Sequence, residues 1–347
     1  MFSIAALIPS PPALVPELCG GHPTADPEHP AAQVPALREA VLTAARALAR
    51  DTRHWTVVGV SSLADRVAGD AESRAAQGPG APAPEPLSGR RAIAVHGPAE
   101  MVGTFQGGGD PDTGRGSSTL RLRETTDSRW AFGAAVSSHV VSAFGVDSVG
   151  TFRGFGVDVR VALSDSALRS GSVADPELPL SVLVGGWVRG QVAAAVSARA
   201  WLVDDGASMR QCTEVGAMLR RELDADPEPG GVLVIADGAN TLSRTAPGYL
   251  DPRAEGVQDR IDTALDDGDC AVLAGLDVDL CAGLGVSGRA AYQVLAGLFG
   301  AQADLRATGA SDGGLPVFGT HSVETLYRAA PFGVGYHVSV WRPGARR

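Results

Sequence analysis

The chain has 347 residues, 44% hydrophobic and 20% charged, with a net charge of −10. That is the balance of a globular protein long enough to bury about three-quarters of its unfolded surface, and an acidic chain without a basic patch is a poor partner for nucleic acid or an anionic membrane surface. All 29 cationic residues are arginine, which excludes lysine Schiff-base chemistry and a Walker-type phosphate lysine.

Phe2 to Ile8 is a short apolar run closed by Pro9, Pro11 and Pro12 and reads as a buried strand, because proline cannot continue a central ladder. With no basic residues before it and prolines breaking it, this start does not read as a signal peptide, and no run of about 18 apolar residues predicts a membrane span. A cytoplasmic location is expected. His22, Asp26, Glu28 and His29 share one Pro/Gly-rich loop, read as solvated rather than metal-binding because ligands need preorganisation. Pro35 to Arg50 carries Leu37, Val41, Ala44, Ala45 and Leu48 at helical spacing, and Trp55 to Val60 is a second buried strand. Strand, helix and strand at this spacing form a βαβ unit and call for parallel pairing.

Residues 66–130 hold two stretches rich in Gly, Pro, Ala and Ser, Gln77 to Gly89 and Gly107 to Ser118, read as loops of an insertion around a short strand at Ala92 to Val95. His139, among apolar residues, reads as a satisfied half-buried histidine. Regular structure is expected again from about Gly150: a strand over Val157 to Leu163, a helix over Leu178 to Val196, a short strand over Ala200 to Val203 and a helix over Ser208 to Leu223. Val232 to Ala236 is a buried strand ending abruptly at Asp237-Gly238. Helices follow over Asp251 to Leu265, Ala271 to Leu276 and Gly288 to Leu298, and Val334 to Trp341 closes as a strand. The one G-x-G-x-x-G, Gly283 to Gly288, follows a helix instead of a strand and is read as a helix–helix connection, not a dinucleotide site. There is no G-x-S-x-G nucleophile elbow. His321 and Glu324, spaced i, i+3, would share a face in a helix, but two ligands make no site. Cys19, Cys212, Cys270 and Cys281 form no C-x-x-C pair and are expected to be buried free thiols. The alternation of helices and buried strands predicts an α/β fold, a three-layer α/β/α sandwich on a mostly parallel or mixed sheet.

Three segments together resemble the class III extradiol ring-cleavage dioxygenases, catalytic B-subunit (LigB-like) type, in an actinobacterial branch. They are Ile4 to Glu17, which contains Pro9-Ser10-Pro11-Pro12; Val234 to Asn240 with Ala246 to Ala254; and Ala330 to Tyr336. The resemblance covers residues 1–62 and 150–342 and implies one LigB-like domain over 1–347 with an insertion at about 66–148. It also implies non-haem Fe(II) held by two histidines and a carboxylate or third histidine, with open positions for a catecholate and O₂. This sequence has Ser10 where the family's first histidine ligand stands, Ser61-Ser62 where the second stands, and Asn240 at the late turn. Serine and asparagine are poor Fe(II) ligands without imidazole support. The expectation is therefore a non-catalytic or repurposed member, a pseudoenzyme with no cofactor, whose pocket of Ser10, Ser62, Asp237, Asn240 and Tyr249 suits a small polar ligand. Two alternatives stay open: an active Fe(II) ring-cleaving dioxygenase with relocated ligands such as His96 or His139, and a metal-independent hydrolase or transferase with Asp237 as catalytic base. The sequence also leaves a homo-oligomer open.

Overall fold

The computed structural model describes residues 1–19, 29–61, 140–193, 195–300 and 321–344. In chain order the regular elements are β1 (Phe2–Ile8), α1 (Val34–Asp51), β2 (His54–Ser61), β3 (Val141–Phe144), β4 (Val149–Thr151), β5 (Arg160–Ala162), α2 (Asp165–Arg169), α3 (Leu180–Val192) and β6 (Ser197–Asp204). They continue with α4 (Met209–Ala225), β7 (Gly230–Ile235), α5 (Ala254–Asp267), α6 (Cys270–Ala274), α7 (Val278–Gly283), α8 (Arg289–Gly300), β8 (His321–Ala329) and β9 (Tyr336–Pro343).

Seven strands form one mixed sheet in the order β3-β6-β2-β7-β1-β9-β8, and β4 pairs with β5 in a separate ribbon. The four inner strands β6, β2, β7 and β1 run parallel. Their apolar runs leave little polar surface on either face, as a strand covered on both sides requires. Antiparallel strands flank them: β3 beside β6, and β9 beside β1 with β8 outermost. Alternate residues divide between two cores. Ala5 and Leu7 join Cys212, Val215, Ile261, Leu273 and Val294 from α4, α5, α6 and α8. Ile4, Ala6 and Ile8 join Leu37, Val41, Val182 and Leu183 from α1 and α3. Helices therefore cover both faces of the sheet.

Topology places the site. The chain leaves β1 toward α1 on one face and leaves β7 toward α5 on the other, and β1 and β7 are neighbours. Adjacent parallel strands whose connections part to opposite faces open a crevice at their carboxyl ends, where ligands of open α/β sheets bind.

Several elements differ from the sequence expectation. A strand stands ahead of Gly150, where none was expected: β3 pairs antiparallel with β6 from Val141↔Val203 to Phe144↔Ala200. The strand expected over Val157 to Leu163 shortens to Arg160–Ala162. His321 and Glu324 lie on a strand, so residues three apart point to opposite faces and the pair is broken. The Gly283–Gly288 motif does join two helices, α7 and α8. Cys212, Cys270 and Cys281 are buried, whereas Cys19 is exposed, since it ends a short 3₁₀ turn at the surface.

Candidate functional site

Ile8 stands opposite Ile235 at the end of the β1–β7 ladder. Continuing that register by two residues sets Ser10 level with Asp237, and the two are bonded twice. The Ser10 main-chain N–H donates to Asp237 Oδ1 at 2.8 Å, and Ser10 Oγ donates to Oδ2 at 2.5 Å. Each carboxylate oxygen accepts one hydrogen, the short charge-assisted arrangement expected of an ionised acceptor. The pair spans the topological switch point.

Asp237 lies deep among protein atoms yet keeps a partly exposed edge, as does Ser10. Burial pushes its carboxyl above the ordinary carboxylate range, against the two Ser10 hydrogen bonds, which pull it down. Two phenols sense it. Tyr292, fully buried on α8, is pushed well up by burial and then by the charges of Asp237, Asp262 and Cys281. Tyr336, at the start of β9, is pushed up by burial and then by Asp237 and Tyr327.

The turn behind Asp237 is tied on three sides. Gly288, just before α8, donates its N–H to Asp237 O at 2.8 Å. A Cβ at Gly288 would lie 2.6 Å from that same oxygen, so the close approach of α8 to the strand end needs glycine. Gly238 N–H donates to Gly335 O at 2.8 Å, and Gly335 N–H returns a bond to Ala239 O at 2.9 Å. Ala239 N–H donates to Gln258 Oε1 at 2.8 Å.

Of the residues singled out from sequence, the structure brings Ser10 and Asp237 together. Asn240 Oδ1 is packed against Gly285 and Gly248, where a Cβ would fall 2.0 Å and 2.5 Å from it, so the amide is engaged by its own loop. Tyr249 is 62% exposed on that loop and adopts the left-handed region, φ 62°, a conformation rarely taken by a non-glycine residue. Ser62, His96, His139, His22, Asp26 and Glu28 lie outside the described residues, as do the strand expected over Ala92 to Val95 and the loops expected at Gln77 to Gly89 and Gly107 to Ser118. His29 caps a 3₁₀ turn, its Nδ1 accepting from Ala31 N–H at 3.2 Å. Sequence reasoning missed Gln258, Asp262 and His337. Gln258 and Asp262 stand on the inner stripe of α5 with Ala254, Ile261 and Leu265, and polar residues at apolar-face spacing were the available signal.

Among the described residues, the donors at the switch point do not fit Fe(II). Both Asp237 oxygens already accept from Ser10, the Ser10 hydroxyl is spent as a donor, and the Asn240 amide is packed into its loop. A ferrous site of the facial-triad type needs imidazoles beside the carboxylate. Among the described residues no three His, Cys, Asp or Glu side chains are grouped to hold a metal ion. An open groove of about 520 Å³, lined by Thr43, Arg46, Ala49, Arg50, Val192 and Ala193, lies at the opposite, amino edge of the sheet. It lacks the convergent, buried polar pair of the switch point, which is the better candidate. No family model matches the chain, and no curated protein matches it. Among the described residues no helix is long and apolar enough to cross a membrane.

Proposed function

We propose that the chain is an extradiol dioxygenase B-subunit-like protein, with the three-layer LigB-like sandwich, that has given up iron chemistry and binds a small polar molecule at the β1–β7 crevice. One observation carries this reading. Ser10, at the position where the resembling family has its first histidine, closes onto Asp237 through both its N–H and its hydroxyl. A serine so placed offers a ligand a hydroxyl oxygen and a carboxylate edge, and offers a ferrous ion almost nothing.

The test is anaerobic reconstitution with Fe(II), metal analysis, and a panel of catechols followed by the yellow ring-cleavage product. The expected result is substoichiometric iron and no colour. In the same panel, extended to hydroxy acids and small amides, at least one compound should raise the thermal midpoint, and Ser10→Ala should abolish that rise. One iron per chain with ring cleavage would instead establish the relocated-ligand dioxygenase.

A second reading has its own support: the raised Asp237 carboxyl sits 2.5 Å from a serine hydroxyl. As general base, Asp237 would take the Ser10 proton while the oxygen attacks an acyl carbon; the proton would pass to the leaving alcohol or amine as its bond to that carbon breaks, and water or an acceptor alcohol would then release the acyl group from Ser10. Ester or amide turnover that vanishes in both Asp237→Asn and Ser10→Ala would select this metal-independent hydrolase or transferase over simple binding.

A further inference from the structure

Gln258 is 5% exposed and stands at the centre of the inner face of α5. Its carboxamide is fixed at both ends. Oε1 accepts from Ala239 N–H at 2.8 Å, and Nε2 donates to Asp262 Oδ1 at 2.9 Å. A main-chain N–H only donates and a carboxylate only accepts, so the reversed amide would set like against like at both ends. The surrounding backbone is cut to receive it. A Cβ at Gly238 would lie 2.2 Å from Gln258 Oε1, and one at Gly335 would lie 2.3 Å from its Cδ. The carboxamide therefore fills a notch between the turn behind Asp237 and the entry to β9.

Asp262 is itself held. Arg328 Nε approaches its Oδ2 at 3.2 Å, and the fully buried His337 faces its Oδ1 through Nδ1 at 3.6 Å. His337 Nε2 and Arg328 Nη1 face Asp266 at 3.8 Å and 3.1 Å, and Arg328 Nη2 faces Asp259 at 3.5 Å. A chain of side chains thus runs from β8 and β9 through α5 to the peptide two residues beyond Asp237.

We infer that Gln258 is the positioning residue of the site: by gripping Ala239 within the Gly238–Gly335 notch it sets the aim of the Asp237 carboxylate at Ser10. This rests on Asp237 being the carboxylate of the site, as proposed above. It does not depend on which ligand binds there.

The test uses the full chain and two NMR readouts that need neither ligand nor activity: the titration midpoint of the Asp237 carboxyl carbon, and hydrogen exchange of the Ser10 amide. Gln258 touches neither group. Gln258→Met keeps the length and the charge but loses both hydrogen bonds. The Ser10 amide should exchange about tenfold faster and the Asp237 midpoint should rise by about half a pH unit or more, as the Ser10 bonds that lower it weaken. Gln258→Glu should likewise free the Ser10 amide, because it sets a second carboxylate against Asp262. Adding Asp262→Asn to Gln258→Glu supplies an amide donor to the new carboxylate and should restore Ser10 protection. This double variant keeps the volume and both bonds, so it tests the inference even where a single variant fails to fold: a folded double variant with an unprotected Ser10 amide overturns it. So does a folded Gln258→Met with lower thermal stability but unchanged Ser10 exchange and Asp237 midpoint, which would reduce Gln258 to a filler of space.

Discussion

Ser10 donates two hydrogen bonds to the Asp237 carboxylate, one from its main-chain N–H and one from its hydroxyl. A hydrogen bond to a charged group contributes about 1.5–3 kcal/mol. Ser10→Ala is therefore expected to lower unfolding stability by about that amount, read from the urea midpoint, and to push the Asp237 carboxyl higher still, since one of the two influences lowering it is gone. The sign of the pH dependence follows from burial. A carboxyl raised on folding binds its proton more tightly in the native state, so its contribution is full below the unfolded value of about 3.9 and is lost as pH rises through the folded value. Asp237→Asn removes that slope. The stability of the native chain relative to this variant should fall as pH rises from about 4 through the folded value, and a pH-independent difference would mean that burial does not control the group. Thiol chemistry divides the cysteines similarly. Burial pushes Cys270 up to about 12 and Cys281 up to about 11, and raises Cys212, while Cys19 is exposed. Iodoacetamide at pH 8 should label Cys19 in the native protein and the other three only on unfolding, as mass spectrometry of the peptides would report. Asp237 was legible in the sequence because it stands just past an abrupt strand end, whereas Ser10 stood out only through the resemblance, as the residue where the family's first histidine would stand. The two polar residues of α5 were legible in principle, as breaks in an apolar stripe. His337 was not, because a histidine in an otherwise apolar closing strand gives no sign of the helix that covers it.

At the scale of elements, α4 and α8 pack through two glycines. A Cβ on Gly216 would lie 2.1 Å from Val294 O, and one on Gly297 would lie 2.2 Å from Thr213 O, so the two backbones meet without side chains between them. Gly216→Ala gains helix propensity worth about 1 kcal/mol but must force the helices apart, an overpacking cost of typically 1–3 kcal/mol or more. The net is expected to be a loss, measured by thermal unfolding; an unchanged midpoint would show that α8 can slide. At the start of α4, Ser208 and Gln211 form a reciprocal capping box. Ser208→Ala should cost about 1 kcal/mol by the same measurement. Both helices were visible from their periodicity, and the inner strands from their apolar runs. The outer strands were not. β8 alternates weakly and has no fully buried residue, so His321 and Glu324 read as readily as helical neighbours. β3 has four residues, only one of them buried, and owes its existence to pairing with β6.

For the whole molecule, no local signal encodes the strand order. β1 pairs with β7 and β9, more than two hundred residues away in sequence, and only the assembled sheet shows that Ser10 and Asp237 meet at the strand ends. The same order fixes where the chain between Ser61 and Val141 departs and returns. Ser61 is opposite Asp204 on one side of β6, and Val141 is opposite Val203 on the other. Two strand spacings of about 4.8 Å separate these anchor points, about 10 Å in all. A gap that narrow can be bridged by a handful of glycines and serines at little entropic cost. The carboxyl edge thus has a natural splice port: deleting residues 63–139 and joining the stumps with a short flexible tether should leave a sheet that still melts cooperatively, and the same port would accept a foreign module in place of the deleted stretch.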